Sequence, residues 1–150
     1  MSSTFAPEPR VALVMNLDLS HGRHGATARV EVHERSGGRI ALVQLGGWLD
    51  ALALGRLDDT LRDLQLRGVS QLLLDCAAVR HIDYRLVPEL VAVLARFETL
   101  AGGYVVCGLS QYLRDLFRLA GCESRVRCWP SAAELLGPPD AHEPGRERAS

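Results

Sequence analysis

Lysine is absent from this 150-residue chain, and all 17 of its cationic side chains are arginine. A GC-rich coding sequence explains this bias better than a function does. The arginines face 18 acidic residues, which leaves a net charge of −1. A chain without an excess of positive charge has no overall field that could hold a polyanion. We therefore expect no nucleic-acid partner.

Long apolar runs are also missing. No segment reaches the roughly 18 consecutive apolar residues that a membrane-spanning helix needs. The N-terminal run VALVMNLDL is interrupted by Asn16 and Asp18 and does not have the pattern of a secretory signal. The sequence therefore predicts a cytoplasmic protein without direct membrane insertion.

The sequence lacks the motifs of metal, thiol and nucleotide chemistry. Its four cysteines form no CxxC pair, and Cys76 and Cys107 lie in apolar runs, where cysteine acts as a small hydrophobe. His21 and His24 have no carboxylate or thiol at a partnering distance, so we expect solvated loop histidines. There is no GxxxxGK[ST] loop, no GxGxxG loop and no serine elbow. We expect no metal, no cofactor and no enzymatic activity.

The sequence does contain a regular alternation of strand and helix patterns. ARVEVHER alternates with period two, SGG supplies a turn, and RIALVQLGGWL follows, which predicts an antiparallel hairpin. Leucines three and four residues apart then predict an amphipathic helix, and two further strand–helix pairs follow. The strand RVRCW follows, and a capping box at residues 131–134 marks the start of a last helix, which completes the order ββαβαβαβα. The fold class is therefore α/β, a single domain with a mixed sheet that is parallel beyond the hairpin and packed with amphipathic helices.

Both ends of the chain lie outside this alternation. We expect residues 1–27 to be an N-terminal extension, whose apolar run either adds one extra strand or docks on the sheet as an upstream segment, and residues 138–150, with three prolines, to be a disordered tail. The RVRCW edge and the N-terminal run could each pair with another copy by strand addition. Alternatively, the N-terminal run covers its own sheet. Of these arrangements we favour a homodimer.

Three segments of the chain follow one another in an order that suggests a family. VQLGGWLDALALGRLDDTLRDL has a strand, a glycine pair and a leucine-spaced helix, and LLLDCAAVRHID is a buried strand that ends in Ile-Asp. GGYVVCGLSQYLRDLFRLAGCESRV adds a strand, a serine-capped helix and the last strand. In this order they resemble STAS domains, the family of the anti-sigma factor antagonists, over residues 28–137. The resemblance implies a STAS-like domain that binds a protein partner.

The junction AVRHIDYRLVPEL departs from the pattern of that family. Members typically read Asp-Ser-Ser/Thr-Gly-Leu-Gly there, and a partner kinase phosphorylates the second hydroxyl residue. Aligned on Asp83, this chain has Tyr84 at the first serine and Arg85 at the phosphoacceptor position. Arg85 is permanently cationic, whereas a phosphoserine carries about −1.5 to −2 charges. The resemblance therefore implies the fold but not switching by serine phosphorylation.

Pro88 limits where the helix after this junction begins. Proline is tolerated in the first helical turn and is destabilising further in. We expect residues 84–87 to form an irregular turn, with the regular helix starting near Pro88 and Asp83 accepting hydrogen bonds from local backbone donors. This role for Asp83 is preferred to a catalytic one, because the sequence offers no acid–base partner.

Two functions follow from the resemblance, and a third comes from another class. The first is a non-catalytic regulatory module that binds an anti-sigma factor or switch-kinase type partner. The second is a constitutive STAS subunit of a larger assembly, such as a stress-signalling scaffold or a lipid-transport complex, which the missing hydroxyl favours. The third is a small ligand-binding domain or enzyme, for which no constellation of residues is present.

The resemblance places the docking surface around the N-terminus of the second helix. Tyr, Trp and Arg are the residue types that most often dominate interface energy. The expected partner-binding residues are Arg80, His81, Asp83, Tyr84, Arg85, Trp48 and Asp50. A core position at the end of its strand suits Trp48 equally well, and His81 is expected to be a surface or packing histidine.

Overall fold

The structure is a computed structural model that describes residues 10–22, 24–100, 102–126 and 128–129. In these residues six strands form one sheet and three α-helices connect or follow them. In chain order they are β1 (Arg10–Asp18), β2 (Thr27–Arg35), β3 (Gly38–Leu49), α1 (Ala51–Leu66), β4 (Val69–Ile82), α2 (Val87–Leu100), β5 (Gly103–Cys107), α3 (Gln111–Leu119) and β6 (Cys128–Trp129). Short 3₁₀ turns, Tyr84–Leu86 and Glu123–Arg125, precede α2 and β6.

The strands lie in the sheet in the same order as in the chain, from β1 at one edge to β6 at the other. β1, β2 and β3 pair antiparallel, whereas β3, β4, β5 and β6 pair parallel. The predicted mixed α/β sheet is therefore confirmed. The helix predicted from residue 131 and the predicted tail lie outside the described residues.

The N-terminal apolar run forms β1, which lies along the outer edge of β2. Met15 is opposite Val30 and Leu17 is opposite Ala28, and both β2 residues are buried. The register shifts between Val11 and Leu13, where one extra residue makes a bulge. β1 thus covers the outer edge of the hairpin and itself becomes the edge of the sheet.

The helices pack their predicted apolar faces on the sheet. In α1 the leucines at 54, 57, 61 and 64 are all buried, as their spacing predicts. In α2 the buried residues include Leu90, Leu94 and Phe97. β4 is apolar on both faces, and Leu72, Leu73 and Leu74 are all buried. Each fully buried leucine stabilises the fold by about 1.5–3 kcal/mol relative to an exposed one.

Three cysteines, Cys76, Cys107 and Cys122, are buried and form no disulfide. Cys76 lies in β4 and Cys107 ends β5, so both occupy the small apolar positions that the sequence predicted for them.

Candidate functional site

The junction between β4 and α2 begins with a cap rather than with a helix. Asp83 has an extended backbone, and its carboxylate accepts a hydrogen bond from the backbone N–H of Arg85 at 2.9 Å. A 3₁₀ turn follows, and α2 begins at Val87, so that Pro88 is its second residue. The irregular turn and the late helix start agree with the limit that Pro88 sets.

The side chain of Arg85 turns back onto the same carboxylate. Its Nη2 lies 2.9 Å from Oδ2 of Asp83, and its Nε lies 3.2 Å from Oδ1. These side-chain bonds, joined by the backbone N–H, lower the pKa of Asp83 from 3.8 to about 2. The same pair raises the pKa of Arg85. Arg85 is exposed, but its charge is matched locally by Asp83.

A second group of side chains lies beside this turn and forms what we call the aromatic cleft: His24, Trp48, Arg80, His81 and Tyr112. The rings of His24 and Trp48 are stacked, with centroids 4.2 Å apart and planes 12° apart. Trp48 is tilted at 58° against His81, and His81 stacks on Tyr112 with centroids 5.8 Å apart. Nδ1 of His81 and the hydroxyl of Tyr112 lie 2.6 Å apart, which closes the row with a hydrogen bond.

The cleft forms where the carboxyl ends of two parallel strands meet, the usual place for a site in an α/β sheet. Trp48 and His81 are register partners at the ends of β3 and β4. Tyr112 lies in the first turn of α3, which Ser110 caps by accepting a hydrogen bond from the backbone N–H of Leu113 at 3.1 Å. His24 reaches the cleft from the loop between β1 and β2.

A pair of glycines in β3 allows this loop to approach. Gly47 has a φ of +84°, and the register of β3 shifts on both sides of the Gly46-Gly47 pair. A Cβ at Gly47 would collide with the carbonyl oxygen of Gly25. The backbone N–H of Trp48 donates to the carbonyl of His24 at 3.1 Å, which fixes the loop against the strand end. The glycine pair therefore has a role in forming the site.

The cleft is concave and exposes its rings. Its volume is about 490 Å³, and a neighbouring hollow of about 340 Å³ shares His24, Trp48 and Arg80 with it. Trp48 is 43% exposed and Tyr112 is 50% exposed, so neither is a core residue. No Asp or Glu is among the described residues that line either hollow. In the part of these walls that the structure describes, the only permanently charged group is the guanidinium of Arg80.

The structure places the remaining predicted residues around the cleft in different roles. Asp50 is the N-cap of α1, and its carboxylate accepts a hydrogen bond from the backbone N–H of Ala53 at 2.8 Å. Tyr84 is 51% exposed in the 3₁₀ turn but does not line the cleft. Trp48, Arg80 and His81 do meet there.

Two members of the cleft, His24 and Tyr112, were not among the predicted site residues. His24 is an exposed loop histidine, as predicted, but its ring also stacks on Trp48, which the sequence did not show. The sequence contains a signal for Tyr112: it directly follows the start of α3, and in a parallel sheet that helix begins at the same edge where β4 ends.

The family of the chain can be assigned from its sequence. A family model described as STAS domain matches residues 29–135. The chain belongs to the STAS domain family. No curated protein is similar enough in sequence to count as a match.

Two solved structures show the same fold as this STAS domain. An anti-sigma factor antagonist from Mycobacterium paratuberculosis has a TM-score of 0.59 at 19% identity, covering 79% of this chain and 96% of that one. The anti-sigma factor antagonist SpoIIAA in its unphosphorylated form has a TM-score of 0.53 at 17% identity, covering 65% of this chain and 84% of that one. At these identities the likeness concerns the fold alone.

Within the described part of this chain, none of the helices is long and apolar enough to cross a membrane.

Proposed function

We propose that this STAS domain is a non-catalytic protein-binding module that binds an anti-sigma factor or switch-kinase type partner without a serine phosphorylation switch. The observation that carries the proposal is the ion pair at the β4–α2 junction. Arg85 stands where the family resemblance expects the phosphoacceptor, and its guanidinium lies 2.9 Å from Asp83. The similarity in fold to two anti-sigma factor antagonists supports the class of partner.

The proposed docking surface consists of the predicted residues together with the aromatic cleft. Trp48 and Tyr84 expose large aromatic surfaces at 43% and 51%, and such residues often dominate interface energy. The carboxylates of Asp50 and Asp83 are used by backbone donors, so these two residues hold the strand-end turns in place for the partner. The remaining members of the surface are His24, Arg80, His81, Arg85 and Tyr112.

A constitutive subunit of a larger assembly, such as a stress-signalling scaffold or a lipid-transport complex, is the second candidate function. The observation that favours it is again local: the capped turn after β4 is preformed by Asp83, and Arg85 offers no hydroxyl to modify. A subunit of this kind would copurify in fixed stoichiometry with its assembly, whereas a regulatory module would exchange between partners.

The remaining parts of the proposal concern location and self-association. Partners of the proposed types imply that the domain acts in the cytoplasm. β1 lies at the sheet edge with Val11 and Val14 exposed, which supports a homodimer formed by strand addition.

Site-specific photo-cross-linking tests the docking surface directly. A photoreactive residue is placed at Tyr84 in one variant and at Arg62, on the exposed side of α1, in a matched control. We expect the variant at position 84 to cross-link an anti-sigma factor or switch-kinase type protein in cells, and the control to give none of that product. Equal yields from the two positions, or the absence of any such protein, would contradict the proposal.

A further inference from the structure

We propose that the aromatic cleft takes an acidic side chain of the protein partner together with a neighbouring apolar side chain, and that Arg80 is the cation that binds the carboxylate. This inference rests on the proposed function, because it names the chemistry of the partner at that docking surface.

The first step concerns which arginine is available to a partner. Arg85 donates through Nε and Nη2 to Asp83 and is therefore matched within its own turn. Arg80 is exposed, and among the described residues it has neither an ion pair nor a side-chain hydrogen bond. A guanidinium presents five N–H donors in a fixed fork that fits a carboxylate. Of these two arginines, Arg80 is therefore the one whose guanidinium is available to a partner.

The second step concerns the charge of the cleft walls. Arg80 borders both hollows, and in the described chain neither hollow is lined by an acidic residue. The nearby carboxylate of Asp83 is occupied by Arg85. A concave surface with one unmatched cation and no carboxylate attracts an anion and disfavours a cation.

The third step concerns the rings. His24, Trp48 and His81 are already stacked or tilted against one another, and the hydroxyl of Tyr112 holds His81 from the other side. Because these rings are held in place, little rotamer freedom is lost when a partner binds them. Their faces offer an apolar contact, so an apolar side chain next to the acid completes the match.

A protein segment fits these features better than a polyanion does. Nucleic acid binding depends on several cations that each neutralise a phosphate, whereas the described residues of the cleft walls include one arginine and the whole chain has a net charge of −1. The chain also has no glycine-rich loop for a nucleotide phosphate. An acidic peptide offers one carboxylate for Arg80 and one apolar side chain for the rings, so it matches both features of the cleft.

A peptide titration tests the inference without the natural partner. The probes are acetyl-Leu-Glu-Phe-Glu-amide, the same peptide with both Glu replaced by Gln, the same peptide with both replaced by Arg, and ATP. Binding to the whole chain is followed by NMR at the indole N–H of Trp48. We expect a saturable shift with the acidic peptide and binding at least roughly tenfold weaker for the other peptides.

Charge reversal in the protein provides the matched control. In R80E the preference should invert, so that the Arg peptide binds better than the Glu peptide, whereas R62Q on α1 should behave like the unaltered chain. Thermal melting of both variants checks that the fold is retained. Unchanged selectivity in R80E, or tighter binding of ATP than of the acidic peptide, would overturn the inference.

The natural partner separates this inference from the proposed function. If an anti-sigma or switch-kinase type protein binds the unaltered chain and R80E equally well, the role of Arg80 is wrong and the proposed function stands. If the acidic peptide binds as expected but no such protein does, the cleft chemistry stands and the proposed function is wrong.

Discussion

Arg85 and Asp83 form a closed pair, in which the backbone N–H, Nε and Nη2 of Arg85 all donate to the carboxylate of Asp83 at 2.9, 3.2 and 2.9 Å. The pair is exposed, so salt and water screen it and it adds little to global stability. Its consequence is local: it fixes the turn that precedes α2 and neutralises a cation where the family resemblance expects a hydroxyl.

The first prediction concerns the titration of Asp83. Its pKa is lowered from 3.8 to about 2, so the stability that the pair contributes is present above the ordinary carboxyl pKa and is lost as the pH falls toward 2. In R85Q the pKa of Asp83 should rise toward its ordinary value, but not fully, because the backbone N–H still donates. The chemical shift of the side-chain carboxyl carbon of Asp83, followed by NMR as the pH is varied, gives the titration midpoint in the unaltered chain and in R85Q. An unchanged midpoint in R85Q, with R62Q as the control, would show that the ion pair does not form.

A second prediction concerns phosphorylation. Incubation of the chain with a switch kinase and ATP should leave residues 80–90 without phosphate, because Arg85 cannot accept it. R85S restores a hydroxyl at the same position and should become a substrate if the junction still docks on the kinase. Mass spectrometry of the peptide that contains residues 80–90 shows whether the unaltered chain and R85S differ in phosphate content. Phosphate on Tyr84 of the unaltered chain would contradict this account of the junction.

The close approach of Gly47 to the loop gives a third prediction. G47A forces a Cβ into a backbone with φ of +84° and against the carbonyl of Gly25, so the free energy of unfolding should fall by more than about 2 kcal/mol. Gly55 lies in the exposed face of α1 with open space around it, and G55A should raise the free energy of unfolding by about 0.5–1 kcal/mol. Urea denaturation measures both. Equal effects of the two substitutions would contradict the proposed role of Gly47.

Self-association is the subject of a fourth prediction. If the edge of β1 pairs with a second copy, light scattering should give twice the mass of the 16.4 kDa chain. V14K places a charge on that edge, where Val14 is 44% exposed, and should yield a monomer that still unfolds cooperatively, at a melting temperature that no longer depends on protein concentration. L66K, at a position on α1 that is 85% exposed, should remain dimeric. A monomeric unaltered chain would rule out pairing at β1.

Much of the fold could be predicted from the sequence, because local patterns and tertiary packing agree. The leucine spacing of α1 predicted its buried face, and the two strand patterns on either side of the SGG turn predicted the antiparallel hairpin. Pro88 and Asp83 together gave the irregular start of α2, since both act through their immediate backbone neighbours.

The aromatic cleft could be predicted only in part, because it depends on contacts between residues far apart in sequence. Trp48 and His81 were identified from strand ends, but His24 joins them through a loop whose approach depends on Gly47. Tyr112 is brought in by the docking of α3 beside β4. Periodicity also cannot show that Arg85 bonds Asp83 while Arg80 stays unmatched, because that difference is set by side-chain geometry.

The central claim is that the domain binds its partner without a phosphorylation switch, and one binding measurement tests it. The dissociation constant for an anti-sigma factor or switch-kinase type partner is determined by calorimetry before and after the domain has been incubated with ATP and the kinase. The account predicts the same Kd in both states. A Kd at least roughly tenfold weaker after incubation, together with phosphate on residues 80–90, would contradict it.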